Sequence, residues 1–175
     1  SVDFAFHSPG LIIIGIFREQ IRSAIIETAR SVSRSNWTYQ IAFAMMTAAK
    51  TTNHIIRVES EGKRDAIIED QPDEKGHSEA VLAAEWEWDS ADIFGPGKEI
   101  EKLFKTLQKH PACHGLLYTY VLESDFPDFV AAVQKEWQAL TSSAKGAADL
   151  PLNICIVTYT GTNSTRVFKA IQTIS

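Results

Sequence analysis

Gly76-His77-Ser78-Glu79-Ala80-Val81-Leu82-Ala83-Ala84 is the stretch on which the fold reading turns. Its glycine closes a polar approach, and its Ala, Val and Leu supply an apolar face. A Glu near the start of such a run suits a helix's first turn, where the backbone dipole favours negative charge. On that reading a helix opens at His77 and buries Val81, Leu82 and Trp86, with His77 and Glu79 at its start. Trp86 and Trp88 then fall on different helical faces, which sends one of them towards solvent or a partner.

Upstream, Ser8-Pro9-Gly10 breaks the lead-in, and Leu11-Ile12-Ile13-Ile14 is an apolar run of ambiguous type. From Ile16 the spacing is helical, with Phe17, Ile21, Ala24, Ile25, Ala29 and Val32 on one face. Residues 37–48 carry Trp, Thr, Tyr, Ile and Phe and read as a strand, paired as an antiparallel hairpin with residues 54–59. Residues 61–75 are polar and read as a surface connection.

Downstream, Gly95-Pro96-Gly97 is a break. Residues 98–110 form a helix with Ile100, Leu103, Phe104 and Leu107 in one stripe, stopped by Pro111. Leu116 to Leu122 is apolar on both faces, the mark of a strand in mid-sheet covered by helices. A helix from Asp125 buries Phe129, Val130, Val133, Trp137 and Leu140. Leu152 to Tyr159 is a second central strand, parallel to the first across that helix, and a last short helix carries Val167, Phe168 and Ile171. The expectation is one domain over residues 1–175: a three-layer α/β fold, its mixed sheet of four to five strands flanked by helices on both faces.

That order of elements, with His77-x-Glu79 after a hairpin and ahead of a central strand, resembles the cytidine deaminase-like superfamily, nearest its divergent secreted, toxin-associated or animal branches. The resemblance covers roughly residues 16–160. In that family the His binds zinc, the Glu moves the proton, and a Pro-Cys-x-x-Cys completes the site. Here the corresponding positions fall on Ser124 or Asp125 and on Pro127 or Asp128, and none is Cys. A catalytic zinc needs three protein ligands and an open position for water. The resemblance therefore implies an inactive deaminase-fold protein without a cofactor, which binds a small ligand or partner through His77, Glu79, Ser124 and Asp125. The alternative is a metal-dependent deaminase or hydrolase in which Glu79 is catalytic and His77, Asp125 and Asp128 hold zinc. Against metal ligation, Asp125 is a good N-cap, Pro127 suits a first turn, and Asp128 sits well near the dipole.

Composition narrows the classes. The 175 residues are 45% hydrophobic and 22% charged with a net charge of −5, which argues against a general nucleic-acid surface and fits a soluble domain. No apolar stretch has the length to span a bilayer. Cys113 and Cys155 form one disulfide or remain buried thiols; Cys113-His114 is a weaker zinc pair. Asn36 and Asn163 begin glycosylation triplets, and the start at Ser1 suits a processed secreted protein or a trimmed one. Secretion is the expectation, a cytoplasmic setting the alternative. Oligomeric state is open. A phosphate loop, a Gly-x-Ser-x-Gly elbow, His-Glu-x-x-His and Cys-x-x-Cys are all missing.

Overall fold

The computed structural model of the chain describes residues 8–28, 34–60, 64–144, 146, 150–160 and 165–174. Two helices lead, α1 (Pro9–Thr28) and α2 (Arg34–Thr51). Three strands follow as an antiparallel meander: β1 (Ile55–Ser60), β2 (Arg64–Glu69) and β3 (Ala80–Glu87). Then come α3 (Glu99–Lys109), β4 (His114–Leu122), a 3₁₀ turn at Glu123–Asp125, α4 (Phe126–Ser143), β5 (Leu152–Thr160) and β6 (Thr165–Ile174). The six strands lie in chain order across one mixed sheet. Only β3–β4 and β4–β5 pair in parallel, and each needs a crossover, supplied by α3 and α4.

Side-chain alternation along the strands divides the core in two. Leu116, Tyr118 and Tyr120 of β4 pack with Phe17 and Ile21 of α1 and Ile41, Met45 and Ala48 of α2. The interleaved Leu117 and Val121 pack with Leu103 and Leu107 of α3 and Val133 and Trp137 of α4. Both crossovers therefore cover one face of the sheet, as successive same-handed crossovers in one direction require. Gly10 brings α1 down onto the sheet: a Cβ there would stand 2.5 Å from the Val81 carbonyl oxygen and 2.8 Å from His114. Beside it, Ser8 Oγ and His114 Nε2 hydrogen-bond at 2.7 Å.

Several expectations are borne out. The α3 stripe, the mid-sheet β4 and β5 with their parallel pairing, and the α4 core of Phe129, Val133 and Trp137 all stand as read. Four are corrected. Residues 80–87 are a strand rather than the helix expected from His77, buried at every position from Ala80 to Trp86. A short run covered on both sides has no periodicity to tell it from a buried helix. Residues 37–48 lie in α2 rather than in a strand: Ile41, Ala44, Met45 and Ala48 are buried at helical spacing while Tyr39 and Phe43 face out. The hairpin is consequently β1–β2, so the stretch taken for a surface connection contains a strand. The last element is β6, an antiparallel edge strand in place of a helix. The strand count accordingly rises from four or five to six among the described residues.

Among the described residues, no helix is long and apolar enough to cross a membrane. Cys113 and Cys155 are both free and buried, on opposite faces of the sheet, the buried-thiol alternative rather than the disulfide. Burial pushes the Cys113 thiol up to about 12 and raises Cys155 likewise, so both stay protonated and unreactive. Asn36 lies in the first turn of α2; Asn163, Ala29 and Val32 lie outside the described residues.

Candidate functional site

The end of β3 reads Glu85-Trp86-Glu87-Trp88-Asp89, an alternation of acid and aromatic. In a strand, period two sends the acids to one face and both tryptophans to the other. Trp86 is buried and Trp88 half-buried against the α1/α2 side, so the strand unites what a helix would have parted. Register does the rest. Trp86 pairs with Tyr118, which sets residue 88 level with residue 120. The Trp88 indole stacks on the Tyr120 ring with centroids 4.3 Å apart and planes 3° from parallel. The Tyr118 and Tyr120 hydroxyls hydrogen-bond at 2.8 Å, fixing the lower ring. Glu87 shapes the exit by accepting the N–H groups of Trp88 at 2.6 Å and Asp89 at 3.0 Å.

This stack borders a groove of about 570 Å³ where the three parallel strands end. Ala91 and Phe94 from the β3–α3 connection form one wall; Asp125, Asp128 and Phe129 at the start of α4 form the other, with Tyr159 of β5 at the back. Ligands of open α/β sheets bind outside the carboxyl ends of the strands. Here no reversal of strand order opens the crevice; it lies between lining residues of the β3–α3 connection and the start of α4. Phe94 meets Phe129 edge-on at 5.7 Å and separates the groove from a second, apolar one of about 610 Å³ between α3 and α4.

Three exposed carboxylates, Asp89, Asp125 and Asp128, line the groove, and none of its described lining residues is Lys, Arg or His. Asp89 Oδ1 accepts the Ala91 N–H at 2.9 Å, and Asp125 Oδ1 accepts the Ser124 hydroxyl at 3.0 Å. Asp125 occupies the N-cap position of α4 without a capping hydrogen bond, with Pro127 and Asp128 in the first turn.

A second acidic group lies buried on the other face of β3. Glu85 is 1% exposed and Glu99, the first residue of α3, 8%. Glu85 Oε2 accepts the Asp65 N–H at 3.2 Å, and Asp65 Oδ2 accepts the Trp86 N–H at 2.7 Å. The neighbouring Glu99 carboxyl disfavours a second charge beside it, which favours a proton on Glu85. Burial, then the neighbouring Glu99 and Asp65, pushes Glu85 up to about 9, so it is neutral at pH 7. Asp65 is raised too, chiefly by burial. Lys102 faces the trio, its Nζ 2.6 Å from Glu99 Oε1; burial works against its charge, but the three acids outweigh that and raise it. None of these residues lines the groove.

The residues singled out from sequence fall at two ends of the sheet. His77 is 78% exposed in a turn, its N–H on Asp73 Oδ1 at 2.9 Å and its Nδ1 3.8 Å from Asp73 Oδ2. Glu79 leads into β3, its N–H on Asp70 Oδ1 at 2.6 Å, beside a small pocket shared with Lys109 and His110. Ser124, Asp125 and Asp128 stand at the opposite, carboxyl end of β4. The register between β3 and β4 puts these ends on the order of 30 Å apart by strand rise. His77, Asp125 and Asp128 therefore do not fit one zinc ion, and the pocket expected between His77 and Ser124 does not form. Among the described residues, no three His, Cys, Asp or Glu gather as metal ligands would. Missed from sequence were Trp88, Tyr120 and the Asp65–Glu85–Glu99 trio. The acid–aromatic alternation at residues 85–89 is the signal that could have found Trp88 and Glu85.

No family model, curated protein or solved structure matches the chain.

Proposed function

We propose that this protein acts by binding a small molecule in the groove at the carboxyl ends of β3, β4 and β5, on a three-layer α/β scaffold related in outline to the deaminases. The observation that carries the reading is the Trp88–Tyr120 stack beside a groove of about 570 Å³, a volume within the range of ligand sites. A stacked pair is a rigid apolar edge that loses little entropy when a ligand packs beside it. Carboxylates at the rim supply orienting polar contacts. Of the ligand-binding residues expected from sequence, Asp125 belongs to this site and His77 and Glu79 do not. The metal-dependent hydrolase alternative has no observation in its favour: its acid and its ligands would need to surround one water, and they stand at opposite ends of strands.

Benzyl alcohol, a neutral single ring, is a suitable first probe. Titrated into the full chain and followed by two-dimensional NMR, it should move the Trp88 indole N–H and the amides of residues 120–129 saturably. The Trp137 indole, which donates to the Leu150 carbonyl at 3.3 Å in the core, should stay still. Trp88→Phe assigns the resonance. If Trp88 is silent, or every indole drifts together, the groove is not a binding site.

A further inference from the structure

We propose that the outer face of α2 is the surface on which two copies of this chain meet, helix against helix, antiparallel about a two-fold axis beside Phe43. The helix is apolar on two sides. Ile41, Ala44, Met45 and Ala48 share a core with strand residues such as Ile68 and Leu116. Tyr39, Phe43 and Met46, at positions i, i+4 and i+7, form a second stripe on the opposite side, 74%, 68% and 49% exposed. Among the described residues, no other element exposes three large apolar side chains. Single exposed apolar residues are ordinary, whereas an aligned set marks a contact surface. None of the three lines the groove at the strand ends, so this inference stands apart from the binding reading.

Charge, symmetry and area say what covers the stripe. From Ser35 to Ala49 α2 has no charged residue, so the stripe offers nothing to an acidic or a basic partner. A membrane surface fits poorly: helices that lie on bilayers carry several basic residues beside their apolar face, and this chain has a net charge of −5. A second α2 presents the same neutral stripe and nothing along it to repel the first. With the helices antiparallel, the axis falls midway between residues 39 and 46. Tyr39 then meets Met46 of the second copy, twice over, as sulfur–aromatic contacts. Phe43 lands on Ala42 of the second copy, whose small side chain leaves room for the ring, and the two Phe43 rings flank the axis. Area sets the strength. At their exposures the three side chains offer roughly 400 Å² per copy, about half of what a standard interface buries on each side. The dimer is therefore reversible rather than permanent.

Sedimentation equilibrium of the full chain tests this, from roughly 10 to 500 µM, a range that brackets a weak association. The weight-average mass should climb from 19.4 kDa towards twice that value. Phe43→Glu sets two carboxylates beside the axis and should raise the dissociation constant at least about tenfold. Met46→Lys removes the contacts with Tyr39 and gives a second reading should Phe43→Glu fail to fold. Both changes sit on the surface and should leave urea unfolding of the dilute protein near that of the wild type. Mixing Phe43→Glu with Phe43→Lys should restore association, because the two-fold puts residue 43 of each copy beside that of the other. A wild type that stays at 19.4 kDa throughout, or variants at both positions that associate as the wild type does, overturns the proposal. A charge-swapped mixture that stays monomeric overturns the antiparallel pairing about Phe43. A monomeric chain that sediments with phosphatidylcholine–phosphatidylserine vesicles, and loses this in Phe43→Glu, overturns it in favour of a membrane surface.

Discussion

Two sets of three acids come together near the end of β3, where Glu85 and Asp89 are close in sequence, and they are opposites. Asp65, Glu85 and Glu99 are packed between the sheet and α3, where burial holds the proton on Glu85 and raises Asp65. Asp89, Asp125 and Asp128 ring an open groove, where the same group is solvated. The end of β3 divides them: Glu85 is buried under α3 within the strand, and Asp89, past the strand's end, is exposed on the groove. Residue type alone therefore assigns neither charge nor role. The buried set bears on stability and its pH dependence, and the exposed set borders the groove of the proposed binding site.

The largest test of that division is the pH dependence of unfolding. Glu85 in the unfolded chain loses its proton near its ordinary value of 4.5, while the folded chain holds it to about 9. Between those limits the native state binds the extra proton, so stability is full below the lower limit and falls as pH rises towards the upper one. The loss amounts to roughly 3–6 kcal/mol across the window. Urea denaturation of the wild type at pH 5, 7 and 9 should show that decline. Glu85→Gln keeps a neutral donor facing Glu99 and should flatten most of it, ending more stable than wild type at pH 9. A wild-type curve that is level from pH 6 to 9 would mean the trio shares no proton, and the contrast with the rim would collapse.

An intermediate effect is expected at Lys102, the cation that balances the buried set. Its side chain is 25% exposed, so part of its field is lost to solvent, and Lys102→Met should cost about 1–2 kcal/mol at pH 7 rather than the full cost of an orphaned buried charge. The variant should also hold the Glu85 proton to higher pH, so the decline in stability moves to the alkaline side. Loss of stability with an unmoved pH profile would show that Lys102 acts through its packing alone.

What the sequence disclosed of all this follows from where local pattern suffices. The α3 stripe of Ile100, Leu103, Phe104 and Leu107 has one apolar face, and one face is what periodicity can read. β4 and β5 were legible because β-branched and aromatic residues fill short runs. β3 was not. Its three alanines and Leu82 are helix formers by propensity, and only burial within the two core clusters makes the run a strand. α2 erred the other way, since Trp37, Tyr39, Ile41 and Phe43 favour strands and Phe43 is 68% exposed. Of the site, Asp125 and Asp128 could be picked out by their spacing. The Trp88–Tyr120 contact could not, because it depends on a parallel register between residues 32 apart in the chain, and no local pattern encodes that.

The smallest effect should come from the rim itself. Asp89→Asn and Asp125→Asn keep their side-chain oxygens for Ala91 and Ser124 and should change the unfolding free energy by about 0.5 kcal/mol or less. Asp128→Asn also gives up a favourable place at the start of α4, worth about 0.3–1 kcal/mol, so it should be the costliest of the three. Equilibrium denaturation of the single variants at one pH orders them. The near-absence of a stability cost is the informative part: three like charges are held round one groove although the fold gains almost nothing from them. A cost above about 2 kcal/mol for any one would place it among the structural acids with Glu85, since exposed substitutions without such a role stay near zero. The rim would then be scaffold, and its charge would no longer argue for a ligand.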